Sequence, residues 1–274
     1  MTSRVLAALD DWPVPTAAAA LVDASGVIAT HGPTDHEFAL ASVTKPLAAL
    51  AILVAVEEEA VSLDDPADEA LVPGATLRHL LAHASGLAPE RPMRSFPPAA
   101  RRVYSNVGIE LAAELVEAAT DMPFARYLDE AVARPLSLTN TSLPGSPARD
   151  GVSTAADLAR VISELLSPTG LLSAATVADL ATVQYPGLRG VLPGYGGQDP
   201  NDWGLGFEIR GHKSPHWTGR TNSAETYGHF GQSGTMVWID PAAGLGLVAL
   251  ADRDFDEWAR QAWPTLSDAA LAAD

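Results

Sequence analysis

Ser42 and Lys45 have the clearest potential for chemistry, because they form an S-x-x-K motif in a chain of 274 residues that holds only one other lysine, Lys213. A long apolar run from Leu47 to Val56 follows and predicts a buried helix that begins near the motif. A serine in the first helical turn lies near unpaired backbone N–H groups, and a lysine three residues later lies on the same face. Burial lowers the pKa of a lysine, which would let Lys45 act as a base for a Ser42 nucleophile. The alternative is an ordinary helix start with a capping serine and a solvated lysine.

A second candidate is a Y-x-N motif formed by Tyr104 and Asn106, just before a helix that is predicted to begin near Val107. A tyrosine beside a lysine cation loses its proton more easily and can then serve as a base. The asparagine, two residues later on an extended segment, points to the same side and can hydrogen-bond a substrate amide or carbonyl. The alternative is a packed tyrosine followed by a helix-capping asparagine.

A third candidate is an H-x-G motif formed by His229 and Gly231, with Gln232 directly after it. Glycines let the backbone approach a ligand closely, and free N–H groups at a strand edge can bind an oxyanion. The alternative is a glycine-rich entry into a strand.

Two other patterns predict no site. His79 and His83 have the i, i+4 spacing of two metal ligands on one helix face, but no H-E-x-x-H motif or nearby carboxylate supports a metal site. We therefore interpret them as core or capping residues and expect neither a metal nor an organic cofactor. Trp217, Trp238 and the other tryptophans are interpreted as core rather than as binding surfaces.

The composition restricts the classes of function. Hydrophobic residues make up 47% of the chain, enough for a substantial core, and the formal charge of −17 disfavours nucleic acid as a partner. Cysteine is absent, which excludes disulfides and thiolate metal sites. The longest apolar run is too short to span a bilayer, and residues 1–14 do not resemble a signal peptide. We therefore expect a cytoplasmic protein that acts on a small molecule and has no membrane partner, while the oligomeric state stays open.

The elements predict an α+β fold. Residues 16–22 and 27–30 predict one β-hairpin, and residues 235–239 and 245–251 a second. Strands at both ends with helices between them predict one antiparallel sheet flanked by helices, with an inserted, mainly helical lobe. Helices are predicted over 42–59, 76–84, 107–119, 123–134, 154–166, 173–183 and 254–270.

This pattern predicts a single catalytic domain over residues 1–274. Its sheet lobe would comprise residues 1–41 and 203–274, and its helical lobe residues 42–184. Residues 185–202 are rich in glycine and proline and are predicted to form a long loop between them.

The three motifs occur in the order S-x-x-K, Y-x-N, H-x-G, and in that order the chain resembles the serine β-lactamase-like family. This family includes class C β-lactamases, D-Ala-D-Ala carboxypeptidases and related esterases, and the resemblance covers nearly the whole chain. It implies the β-lactamase/transpeptidase-like fold. Five segments are similar to family stretches: Phe38 to Lys45, Leu63 to Pro66, Leu77 to Leu87, Ser153 to Leu158 and Trp203 to Gly206.

The resemblance implies a role for each candidate residue. Ser42 would be the acylated nucleophile, and Lys45 and Tyr104 would share its proton, with either as the formal base. Asn106 would orient the substrate together with the H-x-G segment. The oxyanion hole would be formed by the backbone N–H groups of Ser42 and Gln232.

One departure bears on the substrate. β-Lactamases and carboxypeptidases of this family usually carry a lysine where this chain has His229, and that lysine helps to hold a substrate carboxylate. Because histidine is largely neutral near pH 7, we expect ester hydrolysis through an acyl-Ser42 intermediate. The alternatives are a β-lactamase, a D-Ala-D-Ala carboxypeptidase-like amide hydrolase, an acyltransferase with the same acyl-enzyme chemistry, or a non-catalytic binding protein on the same fold.

Overall fold

The computed structural model describes residues 5–273. Its main sheet has six antiparallel strands in the order β2-β1-β10-β9-β8-β7, and two pairs of short strands, β3 with β4 and β5 with β6, lie outside it. The strands in chain order are β1 Ala17–Asp23, β2 Gly26–His31, β3 Phe38–Ala39, β4 Val152–Ser153, β5 Gly190–Leu192, β6 Gly196–Gln198, β7 Glu208–Ile209, β8 Tyr227–Gly231, β9 Thr235–Asp240 and β10 Leu245–Ala251.

The predicted hairpins at the two chain ends are both present and meet in the middle of the sheet, where β1 pairs with β10 along its whole length. The predicted helices are also observed, with ends that differ by a few residues from the sequence-based ranges. The helices are α1 Thr44–Glu57, α2 Leu77–Leu81, α3 Asn106–Thr120, α4 Phe124–Leu128 (followed by a π-helical turn, Asp129–Ala133), α5 Ala155–Leu166, α6 Ala174–Leu180 and α7 Glu257–Leu271.

The sheet has a core on each face, because successive strand residues point to opposite sides. On one face Ala18, Ala20 and Val22 of β1 pack with the helical lobe, including α1 and α5. On the other face Ala19 and Leu21 pack with the tryptophans of α7. The arrangement is therefore a sheet between α7 and a helical lobe, and the predicted α+β fold class is confirmed.

α1 is apolar around its whole circumference, and every residue from Thr44 to Ala55 is buried. A helix of this kind must lie inside a core rather than on a surface. Its first turn thus carries Lys45 into the interior beside the sheet. This placement is the main contribution of the fold to the chemistry described below.

The loop predicted over 185–202 is only partly a loop, since it contains the hairpin of β5 and β6. Gly190 allows β5 to lie against the segment before Tyr104, because a Cβ at this position would lie 2.5 Å from the carbonyl oxygen of Arg102. Residues 1–4 and 274 of the predicted domain lie outside the described residues, and the single-domain organisation stays a prediction. None of the described helices combines the length and the apolar character needed to cross a membrane.

Candidate active site

Ser42 lies in a short 3-10 helix, Ala41–Val43, that leads directly into α1. The residue before it, Ala41, has a positive φ of 45°, a conformation that costs a non-glycine residue of order 1–3 kcal/mol. Side-chain hydroxyls hold this segment in place by donating to three successive carbonyl oxygens. Ser233 donates to Ala39 at 2.6 Å, Thr235 to Leu40 at 2.8 Å and Thr44 to Ala41 at 2.7 Å.

Lys45 is 0% exposed and reaches back from α1 toward the serine. Its Nζ donates to Ser42 Oγ at 3.1 Å and to the carbonyl oxygen of Ala148 at 2.8 Å. Within residues 5–273 no carboxylate oxygen lies within 4 Å of this amine. Burial, followed by the charge of Arg149, lowers the pKa of Lys45 well below its ordinary value. The structure thus provides a buried lysine without a direct counter-ion beside a serine hydroxyl.

Tyr104 approaches Ser42 from the segment that precedes α3. Its hydroxyl donates to Ser42 Oγ at 2.7 Å, and Lys45 Nζ lies 4.6 Å from the centre of its ring. Burial raises the pKa of Tyr104, although the hydrogen bond to Ser42 opposes this change. The phenol is therefore protonated near neutral pH, whereas burial favours the neutral form of Lys45, which is the form that can accept a proton.

Asn106 begins α3 and is buried close to the same site. Its Nδ2 donates to Glu90 Oε1 at 2.5 Å, while its buried Oδ1 has no partner among the described residues. Glu90 also pairs with Arg149 at 3.1 Å on the protein surface. This arrangement holds the amide in place and leaves Oδ1 as a buried acceptor, but Asn106 is not among the residues that line the cavity at Ser42.

His229 lies on β8 and is only 4% exposed. Its Nδ1 lies 2.7 Å from the carbonyl oxygen of Phe230, so this nitrogen carries the proton, and Nε2 has no partner in the described chain. Burial, followed by the charge of Lys45, lowers the pKa of His229 to about 3. A neutral imidazole was expected from the sequence, and in this tautomer Nε2 can only accept a hydrogen bond.

Gly231 lies where β8 passes closest to the nucleophile segment. A Cβ here would lie 2.3 Å from the carbonyl oxygen of Leu40, so the glycine allows contact between two parts of the protein. Gln232 follows, and its backbone N–H has no acceptor in the part of the chain that the structure describes. Ser42, in the first turn of the 3-10 helix, likewise has an amide at a helix start, where amides lack helical acceptors.

A cavity of about 180 Å³ opens at Ser42, and several of the residues that line it were not assigned to the site from the sequence. Trp217 is 1% exposed and lies in the core as predicted, and its indole also forms part of the cavity wall. The sequence spacing of the other aromatic lining residues does not distinguish them from ordinary core residues, so it could not predict that they line a cavity. The lining residues are Ser42, Tyr104, Leu192, Pro193, Trp203, Glu208, Trp217, His229, Phe230 and Gln232.

Of the two histidines interpreted as core or capping residues, His79 caps a helix and His83 lies in the core. His79 accepts a hydrogen bond from the backbone N–H of Thr76 at 3.1 Å and caps α2. His83 is fully buried, accepts from the backbone N–H of Ser105 at 3.2 Å, and packs its ring 4.7 Å from that of Tyr104. His83 therefore supports the tyrosine from behind, a contact that its sequence position does not reveal.

Lys45 and Tyr104 both lie within hydrogen-bonding distance of Ser42 Oγ, His229 and Gln232 line the same cavity, and Gly231 packs against the segment before Ser42. The family model "Beta-lactamase" matches residues 4–272. The chain belongs to the β-lactamase family. The resemblance read from the three motifs is thereby confirmed.

Similar proteins of known structure extend over nearly the whole chain. A β-lactamase from Mycobacterium bovis is 55% identical, with 98% of each chain covered and a TM-score of 0.96. Simvastatin synthase from Aspergillus terreus is 20% identical, covers 97% of this chain and 96% of its own, and has a TM-score of 0.80, which shows a shared fold.

A curated relative from Escherichia coli O157:H7 is named "Putative D-alanyl-D-alanine carboxypeptidase" and is 27% identical over 206 residues. The match covers 58% of this chain and 46% of the relative. The chain thus spans about half the length of the curated relatives that it matches.

Proposed function

We propose that this protein is a serine hydrolase that cleaves carboxylic esters through an acyl-Ser42 intermediate. The observation that carries the proposal is the convergence of the Tyr104 hydroxyl and the Lys45 amine on Ser42 Oγ, at 2.7 and 3.1 Å. A serine in contact with a base and a second proton donor at the mouth of a cavity matches the requirements of nucleophilic catalysis.

In the proposed acylation step, Ser42 Oγ attacks the ester carbonyl carbon and its proton passes to the neutral amine of Lys45. The oxyanion forms beside the backbone N–H groups of Ser42 and Gln232, donors of the kind whose removal costs roughly 100- to 1000-fold in rate. Tyr104 gives its proton to the departing alkoxide and is reprotonated by Lys45. The acyl group is then bonded to Ser42, and the alcohol leaves.

In deacylation, water attacks the acyl carbonyl carbon and its proton passes to Lys45. The bond between the acyl carbon and Ser42 Oγ breaks, and the serine oxygen takes the proton back. An acceptor alcohol or amine in place of water would give acyl transfer by the same steps.

The neutral state of His229 supports esters over substrates with a carboxylate. Burial and the tautomer leave this position without a positive charge and without a donor directed away from Phe230. β-Lactam hydrolysis is the second candidate, supported by the 55% identical β-lactamase from Mycobacterium bovis. If the missing cation is the reason for weak β-lactam turnover, His229→Lys should raise the rate of β-lactam acylation.

The test is the initial rate on p-nitrophenyl acetate, p-nitrophenyl butyrate and nitrocefin, for the wild type and Ser42→Ala side by side. We expect ester hydrolysis that disappears in Ser42→Ala, with little nitrocefin turnover. Efficient nitrocefin turnover with much slower ester turnover would instead establish the β-lactamase alternative. A cytoplasmic location and the absence of a nucleic-acid partner remain predictions from the sequence.

A further inference from the structure

The cavity at Ser42 is enclosed mainly by apolar side chains from three parts of the chain. Leu192 and Pro193 come from the hairpin of β5 and β6, Trp203 and Trp217 from the segments on either side of β7, and Phe230 from β8. Leu192 is 1% exposed and Trp217 is also 1% exposed, so these walls are fixed by packing on their far sides. A substrate group in this space would meet a preformed, largely apolar surface.

Glu208 is the one carboxylate in the wall, and its oxygens are already occupied. They accept from the indole Nε1 of Trp217 at 2.7 Å and from Nε2 of His216 at 2.9 Å, and the Lys213 amine is bonded to the same carboxylate. The backbone N–H of Thr218 donates to Nδ1 of His216, which places the imidazole proton on Nε2. Glu208 therefore holds Trp217 in position instead of offering a free acceptor to a ligand.

The charges around the cavity suit an uncharged ligand. Lys213 balances the charge of Glu208 but does not line the cavity. No lysine or arginine is among the described residues of the cavity wall. His229, the remaining basic side chain of the wall, is neutral. A carboxylate on the substrate would consequently lose its hydration without gaining a cation.

We propose that this cavity is the acyl-binding pocket and that it selects an uncharged acyl group of roughly four to eight carbons. This inference depends on the proposed ester hydrolysis. At about 30 Å³ per water-sized group, the volume of about 180 Å³ accommodates about six non-hydrogen atoms. Each methylene buried in an apolar pocket increases kcat/KM by up to about fourfold, until the pocket is full.

The experiment measures kcat/KM for p-nitrophenyl esters from acetate to dodecanoate. We expect a rise to an optimum between roughly butyrate and octanoate and a decline for longer chains. We also expect the p-nitrophenyl monoester of succinic acid to react at least about tenfold more slowly than the butyrate, because of its unpaired carboxylate.

Two substitutions of Leu192 test whether the optimal chain length is set by the size of the pocket or by a general change in the structure. Leu192→Ala should move the optimum to longer chains by roughly two to three carbons, and Leu192→Phe should move it to shorter ones. Val191, the adjacent residue on β5, is 51% exposed, and Val191→Ala serves as the matched control with an unchanged optimum. If Leu192→Phe fails to fold, Phe230→Leu widens another wall and should act like Leu192→Ala.

The possible outcomes test the acyl-binding pocket separately from the proposed ester hydrolysis. A flat chain-length profile, or Leu192 variants that shift the optimum in the same direction, would overturn the pocket while Ser42-dependent acetate hydrolysis kept the esterase proposal intact. Faster turnover of the succinate monoester than of the butyrate would overturn the selection for uncharged groups. If no ester hydrolysis depends on Ser42, both proposals fall together.

Discussion

The protein has two lysines, and both are buried, but they have very different neighbours. Lys213 is bonded to the Glu208 carboxylate and donates to the backbone carbonyl oxygens of Asp202 and Ile209. Among residues 5–273, the amine of Lys45 contacts a serine hydroxyl, one carbonyl oxygen and a tyrosine ring. The same side chain thus occurs once with a counter-ion and once without.

The difference shows how one residue type can serve structure in one place and chemistry in another. Burial lowers the pKa of both lysines, but at Lys213 the charge of Glu208 opposes the change. A charge-paired, fully bonded ammonium is retained as a cation, whereas an amine that lacks a direct counter-ion gives up its proton more readily. The pairing, rather than the depth of burial, separates the two roles.

The largest effect is expected for Lys45→Met. Loss of the base should reduce kcat on p-nitrophenyl butyrate by roughly 10²- to 10⁴-fold. Its thermal stability should be unchanged or increased, because the methionine removes a buried amine without leaving a charge unpaired. Rates and melting curves measured on the same preparation check both parts. A loss of rate that merely follows unfolding would contradict the assignment.

Lys213→Met should show the opposite behaviour. Its removal leaves Glu208 buried without its cation, which typically costs about 3–5 kcal/mol of unfolding free energy. Urea unfolding measures this loss, and kcat on p-nitrophenyl butyrate should fall far less than in Lys45→Met. A double variant, Lys213→Met with Glu208→Gln, should regain part of the stability. An equally unstable double variant would show that the pair is not the cause.

The pH dependence of kcat/KM tests whether Lys45 is the base. Because Lys45 must be neutral to accept the Ser42 proton, kcat/KM should decrease as pH falls through the lowered pKa of Lys45. Arg149→Gln removes a cation that lowers this pKa and should move the acid limb to higher pH. Glu110→Gln removes an anion that raises it and should move the limb to lower pH. Shifts in the same direction would assign the limb to another group.

The same pKa change predicts a pH dependence of stability. Between the lowered pKa of Lys45 and its ordinary value of 10.5, the unfolded chain binds a proton that the native protein does not. The contribution of Lys45 to the unfolding free energy therefore increases with pH across this window. Subtracting the Lys45→Met curve from the wild-type curve should show this slope, and parallel curves would contradict it.

The fold was predictable because local patterns and chain order agree. The strands of the hairpins at 16–30 and 235–251 are separated by clear turn residues, and the apolar run after Ser42 is too long for a single strand and therefore predicts a buried helix. The positions of Ser42, Lys45 and Tyr104 were also accessible, since their motifs occur in the order typical of the family. Their distances and pKa changes were not, because these depend on what each side chain packs against.

Other features depend on contacts between distant segments. No spacing rule connects Ala148 with Lys45, or the hydroxyls of Ser233 and Thr235 with the carbonyl groups before the nucleophile. Glu208 did offer a sequence clue, because it is a charged residue in an otherwise apolar stretch with the rare Lys213 five positions later. That clue indicates a buried pair, but not that the pair positions a wall of the cavity.

The smallest effect is expected at the edge of the site, where Glu90 binds the amide of Asn106. The side chain of Glu90 is 55% exposed, so solvent screens its interactions and Glu90→Gln should lower kcat/KM by at most about fivefold. Glu114→Gln, an exposed position on α3, makes the same change in net charge and should have no effect. In an Asn106→Ala background, Glu90→Gln should also become neutral, because the group that it positions is gone. An effect that persists there would mean that Glu90 acts on the site through Arg149. The exposed Glu90–Arg149 pair would then influence catalysis by changing the pKa of Lys45.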